Sequence, residues 1–235
     1  MTAHAPRARR GTPVRGGQYR YGVVLLLLVL LLVFAIVAPD ADWAHAIDPA
    51  LAGSALAVAV GTSRAKGEVR RIRALTVIVA ALLVVVLVAT GVFGLDLTFA
   101  VTTLLLAAVP VSLIGGLLRL VREHGVTVQA VAGALAIYLS IGLLFSAAIA
   151  FVAAVEGGPY FNQAADAASG IPVYYSFTVL TTTGFGDYTA RTPVGHALAV
   201  LEMLTGQLYL VTVIGILVGN FATRQMRSNT HAGNP

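Results

Sequence analysis

Long apolar runs separated by short polar flanks dominate the chain from residue 21 onward. Runs of about 20 apolar residues cross a bilayer as helices, and the pattern predicts six of them, at 21–38, 47–63, 73–92, 97–119, 126–155 and 194–222. The second is the least clean, because Asp42, His45, Asp48 and Pro49 crowd its start. A shorter helix is predicted from Pro172 to Thr182, since Pro suits a first helical turn and no further Gly or Pro interrupts the stretch. Such a helix reaches only about half the hydrocarbon thickness. Half a helix followed by extended backbone is tolerated at membrane depth only when buried in protein or lining water. The predicted fold class is an all-α membrane protein with six transmembrane helices and one re-entrant helix between the last two.

Composition and charge sharpen the threading. Hydrophobic residues make up 58% of the 235, charged residues 11%, and mean hydropathy is +0.88, well away from a soluble domain. With six spans and a cytoplasmic N-terminus, every one of the 15 Lys and Arg except Arg191 lies inside. The inside clusters are Arg7, Arg9, Arg10, Arg15 and Arg20; Arg64, Lys66, Arg70, Arg71 and Arg73; Arg119 and Arg122; and Arg224 and Arg227. Removing the second span would split the two largest clusters across the membrane, against the positive-inside rule. A multi-pass protein of the cell membrane with both termini cytoplasmic is therefore expected. The pI of about 9.9 does not imply nucleic acid, because the basic residues sit in short flanks of apolar runs. No cysteine is present, which excludes disulfides and thiolate metal sites. The Arg-rich start, the apolar run and Ala44-His45-Ala46 also fit a secretory signal cleaved after Ala46. The apolar core is long for that reading, and cleavage would leave five spans with the same loops inside. Residues 1–20 read as a disordered basic N-terminus, 21–120 as a four-span region, 126–222 as a pore domain and 223–235 as a short cytoplasmic tail with no room for a folded regulatory domain.

Between the last two spans stands Thr181-Thr182-Thr183-Gly184-Phe185-Gly186-Asp187. Glycines alternating with other residues let the backbone take turns of opposite hand, so that successive carbonyls face one axis. A row of carbonyl oxygens on an axis is a site for a dehydrated monovalent cation. The run resembles the potassium-channel signature, with Phe185 where Tyr is commoner and Thr183 where Val is commoner. The resemblance covers about residues 126–222, an outer helix, a pore helix, the signature and an inner helix; the first four spans resemble nothing that can be named. It implies a selectivity filter lined by the carbonyls of Thr182, Thr183, Gly184 and Phe185, with the Thr182 hydroxyl as innermost oxygen ring, Gly186 completing the outer mouth and K⁺ as the only bound ion. It further implies a homotetramer, since one signature cannot close a ring, and no cofactor. Phe185 is expected to point away from the ions, and Tyr174 and Tyr175 to brace the filter without the hydrogen bond that a Tyr at 185 would make. Asp187 at the outer mouth either concentrates cations or bonds behind the filter to Tyr174, Tyr175 or a backbone N–H.

In the last span, Gly206 occupies the spacing of a hinge glycine in related inner helices, or else permits close helix packing. Gln207, Leu210, Ile214 and Val218 share one helical face and are candidates for the cavity wall, Gln207 as its wet top. Glu202 is the single carboxylate in that span. It is expected to support the filter by bonding the pore helix through Thr178 or Thr181, or to sense pH. His124 and His196 read as surface or interface residues. Residues 97–118 hold no Arg or Lys, so a charge-driven voltage sensor is not expected. A potassium-selective channel is the leading reading, and a weakly selective cation channel the second. A secondary transporter would need paired broken helices, and a polytopic enzyme a nucleophile or metal cluster; neither is present in the pattern.

Overall fold

The computed structural model describes residues 20–38, 42–62, 95–163, 170–217 and 219. The expected span at 73–92, the basic segment before it, the N-terminal residues, the tail and Val218 lie outside the described residues, as does the side chain of Ile214. Six helices are described: α1 (Tyr21–Val37), α2 (Asp42–Thr62), α3 (Leu95–His124), α4 (Val128–Glu156), α5 (Ile171–Leu180) and α6 (Pro193–Tyr209). A π-helical turn, Leu210–Ile214, extends α6 toward residue 217. No strand occurs among the described residues, only an isolated antiparallel bridge between Phe161 and Ala190.

Among the described residues, three helical stretches are long and apolar enough to cross a membrane: Leu97–His124, Val128–Glu156 and Pro193–Leu217. α1 is apolar but has 17 residues, which gives roughly 26 Å, slightly under the hydrocarbon thickness. α2 begins at Asp42 and runs through Asp48 and Pro49 without a break, earlier than the expected start at 47. Pro49 is the eighth residue of this helix, so it has no N–H to give to the carbonyl of His45 four residues earlier, and one intrahelical bond is missing there.

α4 is the hub of the packing. It contacts α1, α3, α5 and α6, while α2 packs against α1 and α3. α1 presents Tyr21, Val24, Leu28 and Leu31, a stripe at helical spacing and fully or almost fully buried, into the same core as Ala130, Ala134, Ile137 and Ile141 of α4. Small residues permit that approach: a Cβ on Gly133 would come within 3.0 Å of the Tyr21 ring. The N-terminus of α4 is capped by Thr127, whose hydroxyl accepts from the Ala130 N–H at 3.2 Å. Arg122 and His124 lie in the last turn of α3, where positive charge complements the helix dipole.

Candidate functional site

α5 has ten residues with Pro172 in its first turn, as the sequence predicts, and it ends two residues earlier than expected. Its last carbonyls are not left open. The Thr181 N–H donates to Phe177 O at 3.1 Å and the Thr182 N–H to Val179 O at 2.9 Å. Thr178 O then accepts from both Thr183 N–H, at 2.9 Å, and Gly184 N–H, at 3.1 Å. These bonds fasten the start of the signature to the helix end.

Beyond that point the backbone alternates in hand. Thr182, Gly184 and Gly186 have φ of +56°, +53° and +80°, and no other non-glycine among the described residues shares the positive sign of Thr182. Left- and right-handed residues in alternation turn successive carbonyls to one side, which lone glycines in a surface loop have no reason to do. The side chains of Thr181 through Asp187 are exposed in the single chain. Thr181 and Thr183 hydroxyls bond each other at 2.8 Å.

The aromatics divide into two roles. Tyr174 stacks on Phe185 with ring centroids 6.4 Å apart and planes 6° from parallel. Its hydroxyl donates to Asp187 Oδ2 at 2.7 Å, and the Tyr188 N–H donates to Asp187 Oδ1 at 3.1 Å. Of the partners expected for Asp187, the structure thus uses Tyr174 and a backbone N–H. Tyr175 turns the other way, buried against Tyr160 and Phe161 with centroids at 6.4 and 5.2 Å.

That second cluster was not anticipated from the sequence. Residues 160–163 clamp the segment that leaves the signature: Arg191 N–H donates to Tyr160 O at 2.8 Å, and Asn162 N–H to Thr189 O at 2.9 Å. Asn162 Nδ2 donates to Thr189 Oγ1 at 2.9 Å, and Thr189 N–H to Gln163 Oε1 at 3.0 Å. Burial pushes the Tyr160 phenol up, so it stays a donor within the cluster. The readable signal was the aromatic pair following Gly157-Gly158-Pro159, a turn that ends α4 and folds the chain back.

α6 carries the remaining candidates. Thr192 caps it, its hydroxyl accepting from Gly195 N–H at 3.1 Å, and Pro193 follows in the first turn. Glu202 is fully buried. Its hydrogen-bond partner is Ser176, not Thr178 or Thr181: Ser176 Oγ lies 2.5 Å from Glu202 Oε1 and 2.7 Å from Gly142 O. One hydroxyl therefore ties α4, α5 and α6 together. At about 100° per residue, Thr178 lies roughly 200° around α5 from Ser176 and faces elsewhere. Thr178 and Thr181 hydroxyls instead bond Tyr175 O and Phe177 O on their own helix. Glu202 Oε2 has no partner among the described residues.

Gly206 is buried against the end of α5, where an added Cβ would stand 2.5 Å from Leu180 O and 2.8 Å from Leu180 Cδ1. The departure from α-helical geometry falls four residues later, at Leu210–Ile214. Gln207 Nε2 donates to Thr182 Oγ1 at 3.4 Å. Leu210 is exposed on the same side of the helix as Gln207. Tyr209 faces inward, its hydroxyl donating to Ala134 O at 2.7 Å. His196 Nε2 lies 2.9 Å from Ala190 O, and since a carbonyl only accepts, the proton sits on Nε2.

No curated protein and no solved structure matches the chain. A family model does: residues 137–223 match the family described as ion channel, a segment that starts within α4 and takes in α5, the signature and α6. Over that segment the chain is similar to ion channels.

Proposed function

We propose that the chain is the subunit of a homotetrameric channel that passes K⁺ down its gradient across the cell membrane. In this reading α5 is the pore helix, residues 182–186 are the selectivity filter, α4 and α6 are the outer and inner helices, and no cofactor is needed beyond the permeant ion. The observation that carries it is the alternation of hand at Thr182, Gly184 and Gly186 directly after a half-length helix. That backbone supplies carbonyl oxygens in place of a hydration shell. α5 also directs its C-terminal dipole end at the filter entrance, which favours a cation there.

A tetramer is supported by α6. Val194, Leu201, Leu204, Leu208 and Val211 leave an exposed apolar stripe at alternating spacings of seven, three, four and three residues, the pattern of a helix that packs on another. Four copies around an axis would cover part of it and close the ring of carbonyls. The Asp187 carboxylates would surround the outer mouth, each held by Tyr174.

One feature favours a second reading, a weakly selective cation channel. Phe185 lacks the hydroxyl with which a Tyr would tie the filter to its surround, and it keeps only the ring stacking on Tyr174. Tracer uptake by reconstituted vesicles separates the two. With K⁺ inside, Rb⁺ should accumulate and Na⁺ should not; equal uptake of both would leave the second reading in place.

The proposed threading has six spans and both termini in the cytoplasm. Reporter fusions after residue 66 and after residue 235 should both report the cytoplasmic side. A periplasmic signal from either would end the six-span arrangement, and a mature chain beginning at Ile47 would support cleavage after Ala46.

A further inference from the structure

Thr182 has an unusual backbone for its side chain. It is β-branched and left-handed, with φ of +56°, a region in which L side chains crowd the following carbonyl. Strain of this sort persists only where neighbours hold the residue in place. The Thr182 N–H is held by Val179 O at 2.9 Å. The side chain is held by one contact from another helix, Gln207 Nε2 donating to Oγ1 at 3.4 Å.

Gln207 is suited to this by its surroundings. The other polar side chains of its part of α6 are engaged elsewhere: Thr205 donates to Leu201 O, Thr212 to Leu208 O, and Glu202 is bonded to Ser176. Gly206, directly before it, lets the α6 backbone lie against Leu180 O, and this contact sets the height at which the Gln207 amide meets the signature. The Leu180 carbonyl is itself met by the Tyr138 hydroxyl at 3.4 Å, so the platform is anchored to α4 as well.

We infer that Gln207 is a positioning residue for the innermost cation site, orienting the Thr182 hydroxyl by an amide hydrogen bond from the inner helix. This rests on reading residues 182–186 as the ion path. A threonine hydroxyl has one proton and two lone pairs. With the Gln207 N–H on one lone pair, rotation of the hydroxyl is restricted and the other lone pair keeps a fixed direction for a cation. Without the amide, the hydroxyl turns among several partners, and a cation that dwells on its oxygen binds less well. The effect is greatest for a divalent ion of about the size of K⁺, because its attraction to each oxygen is doubled.

Ba²⁺ applied from the cytoplasmic side is the probe, read as block of K⁺ current in bilayers containing the full chain. Gln207→Met keeps the length of the side chain and removes the donor. It should weaken the block about threefold to tenfold, the size of one neutral hydrogen bond. Thr182→Ala removes the oxygen itself and should weaken the block at least as much, and adding Gln207→Met to it should bring no further loss, because the amide then has no hydroxyl to orient. An unchanged block in Gln207→Met, or shifts that add in the double variant, overturns the inference while leaving the channel reading intact. Should Gln207→Met not conduct, Gln207→Asn, one methylene too short to reach, takes its place; parent-like block in that variant overturns the inference equally. A parent that carries Na⁺ as readily as K⁺ overturns the K⁺-selective reading, and this assignment with it.

Discussion

Gly184→Ala should abolish K⁺ current while the subunit still folds and assembles. Gly184 has φ of +53°, and an ideal Cβ built there meets no atom within 4 Å. The substitution therefore acts through the backbone alone and not through a clash. An L side chain in this conformation costs about 1–2 kcal/mol. In a four-fold ring the cost is incurred four times, so relief by rotating the peptide planes is favoured by roughly 4–8 kcal/mol over the assembly. Rotation takes a ring of carbonyls off the axis, and a cation that has shed its water then has no replacement for it. Single-channel recording of the variant, alongside a check that its oligomer is intact, decides the matter. Parent-like K⁺ current would show that this backbone does not line the ion path.

Gly206→Val should lose both conduction and much of the stability of the assembly. The first added carbon would already stand 2.5 Å from the Leu180 carbonyl oxygen, a backbone atom that cannot swing aside. α6 must then move away from α5. That movement pulls Glu202 from Ser176 and Gln207 from Thr182, two contacts that lie on either side of Gly206. Overpacking of this kind costs about 1–3 kcal/mol per site, and a buried carboxyl left without its partner adds about 1–3 kcal/mol more. Thermal dissociation of the detergent-solubilised oligomer should fall by several degrees. If Gly206 acted only as a hinge, Val would stiffen the helix and change opening while the oligomer kept its melting point.

Much of this was legible in the chain. Apolar run lengths place the starts of α1, α3, α4 and α6 within two residues of where they lie, because in a membrane the hydrocarbon thickness and the backbone's need for internal hydrogen bonds leave a helix few alternatives. The signature could be recognised from its two glycines and the half-helix before it. Its third left-handed residue could not: nothing in a β-branched Thr182 announces a positive φ, which is imposed by the bonds around it. Ser176 was also missed as the partner of Glu202. Which face of α5 meets α6 depends on how the two helices cross around Gly206, and spacing along one chain does not contain that angle. The π-helical turn at Leu210–Ile214 has neither Pro nor Gly within it to mark it. The clamp of residues 160–163 on 189–191 joins segments about 30 residues apart in sequence and is a tertiary event.

The central claim is that the alternating backbone of residues 182–186 selects K⁺. Purified protein in a planar bilayer, with K⁺ on one side and an equal concentration of Na⁺ on the other, tests it most directly. The account predicts a reversal potential displaced from zero in the direction set by K⁺, by at least about 59 mV, the value for a tenfold preference between monovalent ions. A current that reverses at zero would contradict it.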